Sequence, residues 1–272
     1  METLIQAAEL LSSTDRPVLL DVRWLLGGPP GHEAYLTGHL PGAVFVDLEA
    51  KLASHGAPTD GRHPLPDLQA LQESARRWGV REGDAVVAYD DNGGLAAARA
   101  WWLLRWAGLS DVRLLDGGLS SWTAAGGALE TDDVAPESGD VTLRAGALTT
   151  IDIDEAASFD GVLLDARAGE RYRGEVEPID PKAGHIPGAV SAPTTDNLDG
   201  EGKFRTPEEL RRKFEQLGVR DGVAVAAYCG SGVTAAHEIA ALSIAGFDAA
   251  LYPGSWSQWS NHDSRAVATS SD

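Results

Sequence analysis

The feature that most constrains this chain is that it contains itself twice, four motifs recurring in the same order in both halves. An apolar run closing on Asp-x-Arg appears as Val18-Leu19-Leu20-Asp21-Val22-Arg23 and again as Val162-Leu163-Leu164-Asp165-Ala166-Arg167. Gly38-His39-Leu40-Pro41-Gly42-Ala43-Val44 begins 17 residues after the first aspartate, and Gly184-His185-Ile186-Pro187-Gly188-Ala189-Val190 begins 19 after the second, six of seven positions being identical. Next, Ala85–Asp90 with Asp91-Asn92-Gly93-Gly94 is matched by Val223–Cys229 with Gly230-Ser231-Gly232. Last, Leu115-Asp116-Gly117-Gly118-Leu119 with Trp122 is matched by Tyr252-Pro253-Gly254-Ser255-Trp256 with Trp259. A spacing of about 140 residues far exceeds the roughly 20–50 of solenoid repeats, so each copy is a whole domain. The expected division is a first domain over 1–127, a linker over 128–148 rich in Gly, Asp, Glu, Thr and Pro, a second domain over 149–265, and a tail over 266–272.

Within each copy, short apolar or β-branched runs (Val18–Asp21, Ala85–Tyr89, Val112–Leu115; Val162–Asp165, Val223–Tyr228, Ala249–Tyr252) alternate with helical patterns. Such alternation predicts an α/β fold, each domain a parallel sheet flanked by helices. The clearest helix starts at Thr206-Pro207-Glu208-Glu209, with Thr206 as N-cap, Pro207 at the first helical position and Glu209 closing a capping box. Its counterpart begins near Pro66-Asp67. Segments 95–106 and 233–244 are apolar nearly all round, as expected of helices packed tightly on a sheet.

Charge narrows the partners. With 22 basic against 41 acidic side chains the formal charge is −19, shared evenly between the halves, which opposes binding to nucleic acid or to anionic membranes. No run approaches the roughly 18 apolar residues of a membrane helix and the start lacks a secretory signal, so a cytoplasmic location is expected. The single cysteine, Cys229, cannot form an internal disulfide or anchor a zinc site, and neither metal nor organic cofactor is implied.

That cysteine is either a small buried hydrophobe, the ordinary fate of a lone thiol, or a nucleophile. Its position decides for the nucleophile. It ends a buried strand and precedes Gly230-Ser231-Gly232 and a helix start, where successive backbone N–H groups and the helix dipole favour thiolate. Asp90 occupies the same place in the first half, so one copy is read as active and the other as scaffold. His39 and His185, and the pairs Asp21-Arg23 and Asp165-Arg167, occur in both copies and are read as structural. The tryptophans are read as core, with Trp256 a candidate to line the site.

The run Cys229-Gly230-Ser231-Gly232-Val233-Thr234-Ala235, with the duplicated Gly-His-x-Pro-Gly-Ala motifs and Gly254-Ser255-Trp256, resembles the rhodanese superfamily of two-domain sulfurtransferases over essentially the whole chain. The resemblance implies a persulfide-forming Cys229 in the second domain, a catalytically inactive first domain, and a site in the cleft between them. The donor would be held by Arg171 and by the loop residues Gly230, Gly232, Val233 and Thr234. A neutral Gly-Ser-Gly loop is similar to that of the 3-mercaptopyruvate sulfurtransferases, in which the loop serine, here Ser231, is proposed to work with a histidine and an aspartate matched here by His63 and Asp60. Those enzymes often carry an arginine after Glu-Pro, whereas Ile179 follows Glu177-Pro178 here, so thiosulfate stays the alternative donor. The partners implied are a small anionic sulfur donor and a thiol acceptor, such as thioredoxin or a low-molecular-weight thiol, or cyanide. Two more remote readings are a rhodanese-fold phosphatase, opposed by Ala235 where those enzymes close a longer loop with arginine, and a non-catalytic binding module, opposed by the intact loop.

Overall fold

The computed structural model describes residues 2–270, so Met1 and the last two positions of the 266–272 tail lie outside it. The chain forms two compact units, the first comprising residues 1–54, 66–148 and 200–204 and the second 55–65, 149–199 and 205–272. The exchange is reciprocal: a segment of the first half, 55–65, belongs to the second unit, and 200–204 belongs to the first.

The first unit carries strands β1 (Leu4–Ile5), β2 (Val18–Asp21), β3 (Val44–Phe45), β4 (Val86–Tyr89) and β5 (Val112–Leu115), all parallel, in the order β1-β5-β4-β2-β3. The second carries β6 (Val162–Asp165), β7 (Val190–Ser191), β8 (Val225–Tyr228) and β9 (Ala250–Leu251), also parallel, ordered β7-β6-β8-β9. Beside β9 a parallel bridge from Thr150 to Leu251 stands where the first unit has β1. Strand register reproduces the sequence duplication: Asp21 faces Tyr89 across β2 and β4, and Asp165 faces Tyr228 across β6 and β8. The residues that follow, Asp90 and Cys229, are therefore structural equivalents.

The helices fall where the patterns put them. Leu68–Arg77 is capped by Asp67, whose side chain accepts from Gln69 and Ala70 N–H; in Pro207–Gln216, Thr206 and Glu209 form a reciprocal capping box. Ala97–Trp106 and Thr234–Ile244 bury nearly every side chain of their first two turns. The duplicated histidines hold turns: His39 Nδ1 meets Tyr35 O at 2.9 Å and its ring stacks on Tyr35, while His185 Nδ1 meets Tyr172 O at 2.8 Å and stacks on Tyr172. Asp21–Arg23 and Asp165–Arg167 are buried ion pairs at 2.7 and 2.6 Å. Residues 128–148 are not a free tether: Glu130 bridges His39, and Val141, Arg144 and Ala147 donate to Val80, Ala107 and Trp106 carbonyls of the first unit. No helix among the described residues is long and apolar enough to cross a membrane.

Candidate active site

The site of the second unit grows from the end of β8. Tyr228 is fully buried, and burial, reinforced by the Asp165 charge, pushes its phenol well above the ordinary range, so it stays neutral behind Cys229. The chain then turns through Cys229-Gly230-Ser231-Gly232 into the helix Thr234–Ile244; Gly232 has φ +78°, a conformation glycine adopts without a Cβ penalty. This fold-back aims Gly232 N–H at Cys229 Sγ, 3.1 Å away. Val233 and Thr234 stand at the head of the helix, where N–H groups have no carbonyl one turn earlier to bond. Cys229 is 2% exposed, so the loop shields its thiol from solvent.

A second turn braces the cysteine from below. Ser255 has φ +55°, unusual for a residue with a side chain, and its Oγ accepts from Cys229 N–H at 3.1 Å while donating to Tyr252 O at 2.9 Å. Trp256 and Ser257 N–H groups bond the Cys229 and Gly230 carbonyls, each at 2.9 Å. Trp256, read as core with lining of the site as the alternative, belongs to the core. It is fully buried, its Nε1 donates to Lys182 O, and the Arg167 guanidinium lies 4.5 Å over its ring.

The segment 55–65 supplies the next group. Gly61 packs so closely on Gly254 that a methyl group there would stand 2.8 Å from the Gly254 carbonyl oxygen, and Arg62 N–H donates to Ser257 Oγ at 3.0 Å. That anchoring delivers His63, whose Nδ1 lies 2.7 Å from Ser231 Oγ, both side chains being buried. Asp60 is used differently: its carboxylate accepts from Ala57 N–H at 2.8 Å and borders a pocket of about 500 Å³ with Pro64, Asp152, Glu155 and Tyr252.

Arg171 lies on the short helix Gly169–Tyr172, held by Glu177 at 2.6 Å and by Asp180 at 3.3 Å. Glu177 also accepts from the Ile179 and Asp180 N–H groups at 3.1 Å, fixing the turn after Pro178. Burial works against the Arg167 charge, but Asp165, with Tyr228 and Glu177 beyond it, outweighs burial and raises its pKa. Glu177 and Asp180, not singled out as site residues from the sequence, join this group, and so does Arg62, which the sequence offered only as a substitute cation for Arg171 and which bonds Asp180 at 2.5 Å. A doubling of acids around Arg171 was visible in the sequence; the approach of Arg62, more than a hundred residues away, was not.

The rhodanese-like domain family matches residues 4–125 and 150–262, and the chain belongs to that family, as a tandem-domain sulfurtransferase. A Mycobacterium tuberculosis protein provisionally named thiosulfate sulfurtransferase SseB is 48% identical over 98% of this chain and 96% of its own length. A Pseudomonas aeruginosa protein provisionally named 3-mercaptopyruvate sulfurtransferase is 47% identical over 98% of both. The crystal structure of SseA from Escherichia coli, a 3-mercaptopyruvate sulfurtransferase, superposes with a TM-score of 0.82 at 32% identity, covering 94% of this chain and 99% of that one.

Proposed function

We propose that this sulfurtransferase takes sulfur from 3-mercaptopyruvate onto Cys229. The observation that carries the reading is the 2.7 Å contact between His63 Nδ1 and Ser231 Oγ, two residues from the thiol. The Cys229 thiolate bonds to the donor sulfur, the donor's C–S bond breaks, and its electron pair leaves on carbon as the enolate of pyruvate. That carbon needs a proton, and a hydroxyl backed by an imidazole can supply one. The donor's thiol proton stays on the outer sulfur of the Cys229 persulfide, or leaves it for water, and the loop N–H groups hold the sulfur's charge. An acceptor thiolate, of a thioredoxin or of a low-molecular-weight thiol, or cyanide, then takes that outer sulfur and returns Cys229 as thiolate. A free nucleophilic thiol suits the reducing cytoplasm.

Thiosulfate as donor is favoured by one relative's name and by two arginines at the site, since sulfite leaves already charged and needs no proton. Comparing kcat/KM for the two donors under identical conditions decides: the expected result is a preference for mercaptopyruvate. Preference for thiosulfate, with Ser231→Ala affecting both donors equally, would put the second reading in its place.

A further inference from the structure

The turn after Glu177-Pro178 carries Ile179, 45% exposed, so it offers no second cation to a donor anion. Another element brings one to the same place. A methyl group at Gly230 would stand 3.3 Å from Arg62 Nη2, 3.5 Å from Arg171 Nη1 and 4.0 Å from Arg171 Nη2. Two guanidinium groups thus converge on the space that the missing side chain of Gly230 leaves beside Cys229. Asp180 sets them side by side, taking Arg62 Nη1 on one oxygen and Arg171 Nη2 on the other, its own side chain 2% exposed. Arg62 Nε is buried with no hydrogen-bond partner. An unpaired buried donor on a cation is costly and is satisfied by an incoming acceptor. The backbone of Arg62 is fixed by Ser257 and by the close packing of Gly61, so the guanidinium is built into the site.

We infer that Arg62 and Arg171 together form the seat for the donor's carboxylate over Gly230, Arg62 doing from the segment 55–65 what a second arginine in the Glu-Pro turn would do. The inference rests on the sulfurtransferase reading of Cys229. It also gives Gly230 a reason: any side chain there would fill the seat. Planar bidentate recognition of a carboxylate requires arginine, so lysine substitutes poorly.

Two arms test it. In the first, pyruvate, which has the carboxylate and no transferable sulfur, is titrated into the full-length protein and followed by NMR. Arg62→Gln is expected to weaken binding about ten- to a hundred-fold and Arg62→Lys to recover only a small part of that. In the second, kcat/KM is measured for mercaptopyruvate and for its neutral methyl ester, which gives up sulfur by the same C–S cleavage. The Arg62→Gln loss is expected in KM and at least fivefold larger for the anionic donor, a split that a merely structural role would not produce. Pyruvate affinity within twofold of native, or equal losses on both donors, overturns the inference. Absence of pyruvate release by the native protein overturns the donor reading alone, because the titration needs no turnover.

Discussion

The loops that follow β4 and β8 are the same device put to opposite uses. Both run from a buried strand through glycines into a helix, so both gather backbone N–H groups around one point. After β8 that point holds a thiol, and Gly232 N–H faces its sulfur at 3.1 Å. After β4 it holds a carboxylate: Asp90 accepts from Asn92, Gly94, Ala96 and Ala97 N–H at 2.8–2.9 Å. The first copy is therefore more than a site without sulfur; its anion cradle is filled by its own chain. The exchanged segments differ in kind as well. The second unit receives Arg62-His63, whereas 200–204 brings Lys203-Phe204 and no histidine to the first. If Cys229, the Ser231–His63 contact and the Arg62–Arg171 pair act as proposed, the first copy lacks all three of these parts.

The harshest way to break the comparison is to make the loops alike. Cys229→Asp should abolish transfer, with no sulfur added by intact mass after donor treatment, because a carboxylate would occupy the N–H groups and offer no sulfur. The reciprocal pair Asp90→Cys with Cys229→Ser should stay inactive, since the first unit lacks the histidine and arginine. Measurable turnover by that double variant would show that a thiol in the cradle suffices. Next in size is Asp90→Ala, which orphans four amide donors in the first unit. The expected cost is about 3–5 kcal/mol by denaturant unfolding, with transfer per folded molecule retained. A loss under about 1 kcal/mol would mean that water replaces the carboxylate and that the self-filled cradle carries little of the first unit's stability.

What the sequence disclosed about these loops and what it withheld separate along chain distance. The duplication, the strand ends, the capping box at Thr206 and the position of Cys229 are local patterns, since strand, turn and helix are adjacent in the chain and their periodicity is written side by side. His63 was reached only through a resemblance, and its contact with Ser231 spans 168 residues. Arg62 and Asp180, 118 residues apart, have no local signature. Each is an ordinary charged residue until the segment 55–65 joins the second unit, and nothing in composition marks that exchange. Trp256 was left between core and wall for a related reason: a large aromatic beside a reactive loop reads as either, and burial under Arg167 decides for core.

Smaller effects separate chemistry from support. Ser231→Ala and His63→Gln should each lower mercaptopyruvate kcat about ten- to a hundred-fold while changing thiosulfate kcat less, because only the enolate needs a proton. Their double variant should lose little more than either alone, as for residues acting through one contact. Fully additive losses would separate the two residues and end the relay.

The smallest effect concerns the position that is left-handed in both copies. Gly118 and Ser255 share φ +55°, and each precedes the N–H that bonds the Asp90 or Cys229 carbonyl at 2.9 Å. In the first unit glycine is required, since a methyl group would stand 2.2 Å from the Asp90 carbonyl oxygen. In the second, serine accepts a strain of about 1 kcal/mol and offsets it with hydrogen bonds to Cys229 N–H and Tyr252 O, worth about 1 kcal/mol each. Ser255→Gly removes strain and bonds together, so stability should stay within about 1 kcal/mol while the cysteine loses its brace and single-turnover persulfide formation slows about two- to fivefold. Ser255→Ala keeps the strain and loses the bonds, and should cost about 1–3 kcal/mol. An alanine variant as stable as the native protein would show that the hydroxyl offsets nothing, leaving the serine at this turn without a role in holding Cys229.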